Sequence, residues 1–132
     1  MSFSVIAPPR EGEQALADAG KEIIFKARDL GLALDVEGFL TSWVGGATKV
    51  AVERNSEGQI ITLALAAIGH RWVHNEISAS ILAIAGENED TMIEFIKTLT
   101  LGAGGRAVFC VSKTPYNEDE NKKEYTVTEY LL

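Results

Sequence analysis

The sequence has few of the residues that build cross-linked or metal-held proteins. Cys110 is the one cysteine among 132 residues, so an intrachain disulfide and a cysteine-based zinc site are both excluded. The residues around it, RAVFCVS, predict a buried strand, in which a lone cysteine usually serves as a small hydrophobic side chain. Burial would raise the pKa of its thiol, so Cys110 is not expected to be a nucleophile.

Positive charge and long apolar runs are also scarce. Twelve Lys and Arg stand against 19 Asp and Glu, a formal net charge of −7 that repels phosphate backbones and anionic membrane surfaces. We therefore expect no nucleic-acid partner. No apolar run reaches the roughly 18 residues that a membrane-spanning helix needs, and the N-terminus lacks the pattern of a signal peptide. These features predict a soluble protein of a reducing compartment, with a cytoplasmic location.

Apolar residues are plentiful enough for a packed core. They make up 46% of a chain whose length predicts one domain, residues 1–132. Alternation of apolar and polar residues predicts strands, and recurrence at three- and four-residue steps predicts helices. The predicted strands are 2–7, 48–54, 59–68, 77–85, 106–112 and 125–132, and the predicted helices are 12–34, 36–44 and 91–99.

Turn and cap residues refine this order. The cluster 55–58 predicts a hairpin, which favours a strand over an alanine-based helix for 59–68. Asp35 is a candidate N-cap for the second helix. Thr91 and Glu94 fit a capping box for the third, with Asn88 and Asp90 as alternative caps. The polar segment 113–124 predicts a mobile loop.

The junction between the strand 77–85 and the third helix is unusual in its charge. Gly86 is followed at once by Glu87, Asn88, Glu89 and Asp90. Helix N-termini attract anions, because their free N–H groups and the helix dipole point outward. Here the chain supplies its own carboxylates, which stabilise a helix start.

The order strand, helix, helix, three strands, helix, strand, loop, strand resembles the acyl-CoA-dependent N-acyltransferases of the GNAT superfamily. The segment TKVAVERNSEGQIITLALAAI is similar to the hairpin of that family, and FLTSW suits its second helix. The resemblance implies an α+β fold with a mixed, mostly antiparallel sheet of about six strands flanked by about three helices. One closing strand in place of two implies a shortened C-terminal arm.

The resemblance also says where coenzyme A would bind. In the family, an Arg/Gln-x-x-Gly-x-Gly/Ala motif holds the pyrophosphate with its backbone N–H groups. The matching residues 85–90 have one glycine, no Arg or Gln at the right offset, and three carboxylates. Like charges about 4 Å apart repel by roughly 1 kcal/mol in water and by more when desolvated. We therefore expect no cofactor; in an intact site Ala85, Gly86 and Asn88 would contact acetyl-CoA.

Three functional hypotheses follow. The first is a non-enzymatic acyltransferase-like domain that binds another protein or a larger assembly; similar small proteins occur in tailed phages, including a virion internal protein, which would place the chain in a virion. The alternative is an active N-acetyltransferase that uses Glu53 or Glu76 as base and Tyr116 as acid. A second alternative is an acidic inhibitor of a host enzyme, with nucleic-acid mimicry as one mode.

Two other sets of residues are weaker candidates. His70, His74 and Glu76 lie in a strand-and-turn region with no further ligand specified, so no metal site is expected. Trp43 and Trp72 suit core or edge packing, and either would mark a partner surface if exposed. Edge strands and these tryptophans would also allow self-association.

Overall fold

The computed structural model describes residues 2–71 and 75–132, with the backbone alone at Arg71. The described elements follow the predicted order, with a small hairpin added near the C-terminus. They are β1 Ser2–Ile6, α1 Glu13–Asp29, α2 Val36–Val44, β2 Lys49–Arg54, β3 Ile60–Arg71, β4 Glu76–Gly86, α3 Glu89–Gly102, β5 Ala107–Val111, β6 Asn117–Glu118, β7 Lys123–Glu124 and β8 Val127–Leu131.

Six of the strands form one sheet in the order β1-β2-β3-β4-β5-β8. Neighbouring strands are antiparallel except β4 and β5, which are parallel and joined by α3. Helices α1 and α2 pack on one face of the sheet and α3 on the other, so each face has its own apolar cluster. The predicted α+β class, with three helices and a mostly antiparallel six-stranded sheet, is confirmed. In the described part of the chain, no helix is both long and apolar enough to cross a bilayer.

Helix α1 ends where its backbone turns left-handed at Gly31, with φ +93°. Gly31 N–H donates to the Arg28 carbonyl and Leu32 N–H to the Ala27 carbonyl, the paired bonds that close a helix C-terminus. Asp35 then caps α2, because its carboxylate accepts a hydrogen bond from Gly38 N–H at 3.0 Å. The sequence predicted this cap correctly.

Trp43 lies in the core between α2 and the sheet. Its side chain is 1% exposed, stacks on Phe39 with 5.6 Å between ring centroids, and donates from Nε1 to the Ile6 carbonyl at 3.0 Å. Trp43 therefore packs in the core, as the sequence favoured, and it lacks the exposure that would have marked a partner surface. Trp72, the other candidate, lies outside the described residues.

Helix α3 begins at Glu89, two residues earlier than predicted. The expected capping box of Thr91 and Glu94 is therefore wrong, since both residues lie inside the helix. Asn88 occupies the N-cap position, but its side chain makes no capping hydrogen bond. Met92 and Ile96 anchor the helix to the sheet against the alanines of β2 and β3.

Residues 113–124 contain structure where a mobile loop was predicted. Strands β6 and β7 pair Asn117 with Glu124 and Glu118 with Lys123. Asp119 closes the turn, because its Oδ1 accepts hydrogen bonds from the N–H groups of Asn121 and Lys122. The chain then returns as β8, which pairs directly with β5, so the C-terminal arm is short as expected.

Candidate functional site

A cleft opens where the two parallel strands at the middle of the sheet separate. Strands β4 and β5 pair from Ser78 to Ile81 on one strand and from Ala107 to Cys110 on the other, and β4 then continues to Gly86 without β5 but still paired with β3. The cleft has a volume of about 380 Å³. Its lining comes from the α1–α2 connection and from both strands: Leu30, Gly31, Leu32, residues 81–85 and residues 110–113.

A bulge at Leu82 accompanies this separation. Leu65 of β3 pairs with Ala83 and Ala66 pairs with Ile81, so Leu82 is an extra residue in β4. Its side chain is 59% exposed, and Val111 on the opposite wall is 49% exposed. The mouth of the cleft is therefore apolar on both sides.

Beyond the cleft, β4 turns into α3 within two residues, Glu87 and Asn88. The turn depends on Gly86, which has φ +135° and whose Cβ, if present, would overlap the Ile61 carbonyl oxygen and Thr62 Cα. Glu87 N–H donates to the Ile61 carbonyl and Asn88 N–H donates to Thr62 Oγ1, both at 3.0 Å. These two amides therefore bond to β3 within the protein.

A buried carboxylate fixes the same junction. Glu53 of β2 is 1% exposed and accepts a hydrogen bond from the Thr62 hydroxyl at 2.8 Å. Asn88 Nδ2 donates to both of its carboxylate oxygens, at 2.9 and 3.1 Å. Charge-assisted hydrogen bonds of this kind are stronger than neutral ones, so Glu53 joins β2, β3 and the start of α3.

An ion pair links the acidic helix start to the far wall of the cleft. Lys113 Nζ lies 2.7 Å from Glu89 Oε2, while Glu87 and Asp90 are exposed beside it. Cys110 lies near this pair. Burial raises the pKa of its thiol most, the Glu89 carboxylate raises it further, and Lys113 lowers it. The raised pKa agrees with the expectation that Cys110 is not a nucleophile.

The residues that would catalyse if the chain were an active N-acetyltransferase do not converge on the cleft. Glu53 is enclosed beneath α3, and Glu76 stands at the opposite end of β4 from Gly86. Tyr116 lies in the C-terminal hairpin, where its hydroxyl donates to Glu124 Oε2 at 2.6 Å and its pKa is raised by that bond. The three residues therefore belong to separate parts of the fold.

The residues that would contact acetyl-CoA in an intact site lie close together, but each has a different role in this structure. Ala85 lines the cleft, Gly86 makes the turn, and the Asn88 side chain is directed to Glu53. Among the histidines, His70 Nε2 lies 3.3 Å from Asn75 Oδ1, and His74 is outside the described residues. Within residues 2–71 and 75–132, no three His, Cys, Asp or Glu side chains form a group that could hold a metal ion.

Sequence reasoning missed Thr62, Lys113 and the bulge at Leu82. Arg54 pairs with Ile60, and a regular ladder would then place Glu53 opposite Ile61. A bulge there places Glu53 opposite Thr62. The sequence did contain a signal for the buried network, since Glu53 and Thr62 lie near one another across the predicted hairpin. The one-residue shift hid the fact that the two residues are directly opposite.

Comparison with solved structures identifies the fold. A probable acetyltransferase superposes with a TM-score of 0.62 at 9% identity, over 96% of this chain and 96% of that one. A GNAT family acetyltransferase from Staphylococcus aureus gives 0.59 at 13% identity, over 96% and 98%. A ribosomal-protein-alanine N-acetyltransferase from Brucella melitensis gives 0.60 at 6% identity, over 92% and 83%. No family model and no curated protein matches the sequence. The chain therefore has a GNAT-like fold.

Proposed function

We propose that this chain is a non-catalytic domain with a GNAT-like fold that acts by binding another protein or a larger assembly. The observation that carries the proposal is the occupied junction after β4. The carboxylate of Glu89 lies in the first turn of α3, paired with Lys113, in the place where the family resemblance puts a diphosphate. A phosphate group there would have to displace Glu89 from its partner and approach Glu87 and Asp90.

The backbone of the junction supports the same proposal. A diphosphate is bound mainly by free N–H groups at a helix start. Two of the amides nearest the turn, those of Glu87 and Asn88, already donate to Ile61 and Thr62. Releasing them would break hydrogen bonds that hold β3 to the turn, so a bound diphosphate would have to offset that loss.

The alternative is an active N-acetyltransferase, and one observation favours it. The cleft between β4 and β5 remains open, with a volume of about 380 Å³, and several of the structures that superpose on this chain are named acetyltransferases. Under this alternative the cleft would take acetyl-CoA. Its catalytic groups would have to be other than an enclosed Glu53.

Titration with acetyl-CoA separates the two functions. A ligand at 100 times its dissociation constant adds about 2.7 kcal/mol to the free energy of unfolding, which is readily seen as a rise in melting temperature. We expect no rise in melting temperature with acetyl-CoA at concentrations up to about 1 mM. Diphosphate alone serves as a control for general anion effects. A saturable rise with acetyl-CoA and not with diphosphate would refute the proposal.

A further inference from the structure

We propose that the cleft between β4 and β5 receives an extended segment of a partner protein, which pairs with β4 as an added strand and carries a Lys or Arg toward Glu87 and Asp90. This inference rests on the proposed function, because it names the surface and the class of partner through which a non-catalytic domain would act. It depends on three features of the cleft: its backbone, its walls and its charge.

The backbone of β4 has an open edge inside the cleft. On one side β4 pairs with β3 up to Gly86, but on the other side its pairing with β5 stops at Ile81. Residues 82–85 therefore lack a strand neighbour on that side within the described chain. An unpaired strand edge is a ready template for another strand, and many domains bind extended peptides in this way. Four residues span about 13 Å, enough for a short peptide to pair.

The walls of the cleft are apolar and partly uncovered. Leu30 and Leu32 lie on one side, and Leu82 and Val111 flank the mouth with about half or more of each side chain exposed. A strand places alternate side chains on opposite faces. A bound segment with apolar residues at alternate positions would cover these side chains while its backbone pairs with β4.

The charge at the Gly86 end determines which segment fits. Three carboxylates surround the start of α3, and Lys113 pairs with one of them, Glu89. Glu87 and Asp90 are exposed, and the whole chain carries a formal charge of −7. This end of the cleft repels phosphate and acidic segments and attracts a cation. A segment that combines alternating apolar residues with a basic residue therefore fits both ends of the site.

The test uses the full chain and a defined peptide, acetyl-Lys-Val-Thr-Val-Thr-Lys-amide, which presents a lysine in either strand direction. Binding is followed by ¹⁵N NMR. We expect saturable shifts at the amides of residues 82–85 and Lys113. Replacing both peptide lysines by glutamate should weaken binding about tenfold, because a unit charge about 6 Å from each exposed acid changes sign. Methylating alternate peptide N–H groups should abolish binding, since it removes the ladder hydrogen bonds.

Matched variants locate the site. Leu82→Gln removes an apolar wall and should weaken binding at least threefold, whereas Leu101→Gln, at a leucine of equal exposure (60%) on α3, should not. Glu87→Gln with Asp90→Asn should reduce the difference between the lysine and glutamate peptides. Glu13→Gln with Glu37→Gln removes the same charge from the first turns of α1 and α2 and should leave that difference intact.

The possible results separate this inference from the proposed function. If neither the peptide nor acetyl-CoA shifts the cleft amides, the docking inference is overturned and the non-catalytic proposal stands. If acetyl-CoA binds there and displaces the peptide, the non-catalytic proposal falls and the inference with it. Binding that is insensitive to peptide charge or to N-methylation would also overturn the inference, because neither charge nor strand pairing would then be its cause.

Discussion

The side-chain amide of Asn88 donates hydrogen bonds to both carboxylate oxygens of Glu53, at 2.9 and 3.1 Å. An N-cap asparagine ordinarily accepts a bond from its own helix, but this one is directed away from α3 to a buried acid on β2. The start of α3 is therefore held to the sheet through a side chain rather than capped. The acids at this junction divide into one structural carboxylate, Glu53, and the surface carboxylates that follow Gly86.

Removing the Asn88 amide should destabilise the protein. Asn88→Ala removes two of the three side-chain hydrogen bonds to the buried carboxylate of Glu53 and leaves the one from the Thr62 hydroxyl, so we expect a loss of about 1 to 3 kcal/mol in the free energy of unfolding. Urea denaturation measures it. The control Asn121→Ala, in the exposed turn between β6 and β7, should cost less than about 0.5 kcal/mol. Equal losses in the two variants would contradict the role given to Asn88.

Thr62→Val should also be costly, although it preserves side-chain shape. The Thr62 hydroxyl donates to Glu53 and accepts from Asn88 N–H, so the change leaves a buried carboxylate and a partly buried amide each short of a partner. We expect a loss of about 1 to 3 kcal/mol. Thr100→Val is the matched control: Thr100 is equally buried, but its hydroxyl donates to a carbonyl of its own helix. Denaturation midpoints that shift alike in both variants would refute the distinction.

Gly86→Ala tests the two-residue turn after β4. The added methyl group would overlap β3 backbone atoms, and the φ of +135° is strained for any L side chain. Together these effects predict a loss of at least about 3 kcal/mol. Gly58→Ala also has a positive φ but meets no atom within 4 Å, so it should cost only about 1 kcal/mol. A well-folded Gly86→Ala protein with an unchanged melting temperature would disprove the close packing.

Alkylation of Cys110 reports the charges at the cleft. Burial, then Glu89, raises its pKa, so at neutral pH it should react more slowly with iodoacetamide than the same thiol in the urea-unfolded chain. Glu89→Gln should lower the pKa, and Lys113→Gln should raise it. The pH profile of the alkylation rate gives the pKa separately from access to the thiol. Shifts in the opposite directions would contradict the charge arrangement.

The C-terminal hairpin should weaken in acid. The pKa of Glu124 is lowered by Lys122 first and by the Tyr116 hydroxyl second. A lowered folded-state pKa means that these bonds stabilise the hairpin above the ordinary glutamate pKa and are lost as the pH falls through the folded value. Carboxyl ¹³C titration should show the Glu124 pKa rising in Tyr116→Phe and more in Lys122→Gln. Lys123→Gln, which pairs with Glu118, should leave it unchanged.

The sequence predicted the order of the elements well, because helix and strand periodicities differ and the turn residues are distinctive. The six-stranded sheet, the Asp35 cap and the strand at 59–68 were all anticipated. The sequence did not indicate that the alanines of β2 and β3 would pack against α3. Their small size allows the helix to lie close to the sheet. Residues 113–124 were misjudged because a two-residue strand pair leaves almost no periodic signal.

The arrangement of the site was harder to predict. Glu53 was interpreted as a candidate base near the substrate cleft, under the alternative of an active N-acetyltransferase. Strand β2 is covered on both faces, which buried both Val52 and Glu53. The bulges at Ile61 and Leu82 then determined which side chains met, and no residue type in the sequence specifies a bulge. The periodicity of the sequence therefore predicts the helices and strands, whereas the one-residue bulges determine which side chains are in contact.

The bulge at Leu82 changes the phase of β4. Ile81 contacts the α3 cluster, whereas Ala83, two positions later, packs against the α1–α2 cluster, and Ile84 returns to the α3 side. In a regular strand, residues two apart share a face. Deleting Leu82 would make Ile81 and Ala83 neighbours on opposite faces, so the later residues would keep their faces: Ile84 would stay in its core and Gly86 would still lie opposite Thr62. The tolerance of this strand to a one-residue deletion therefore lies at Leu82.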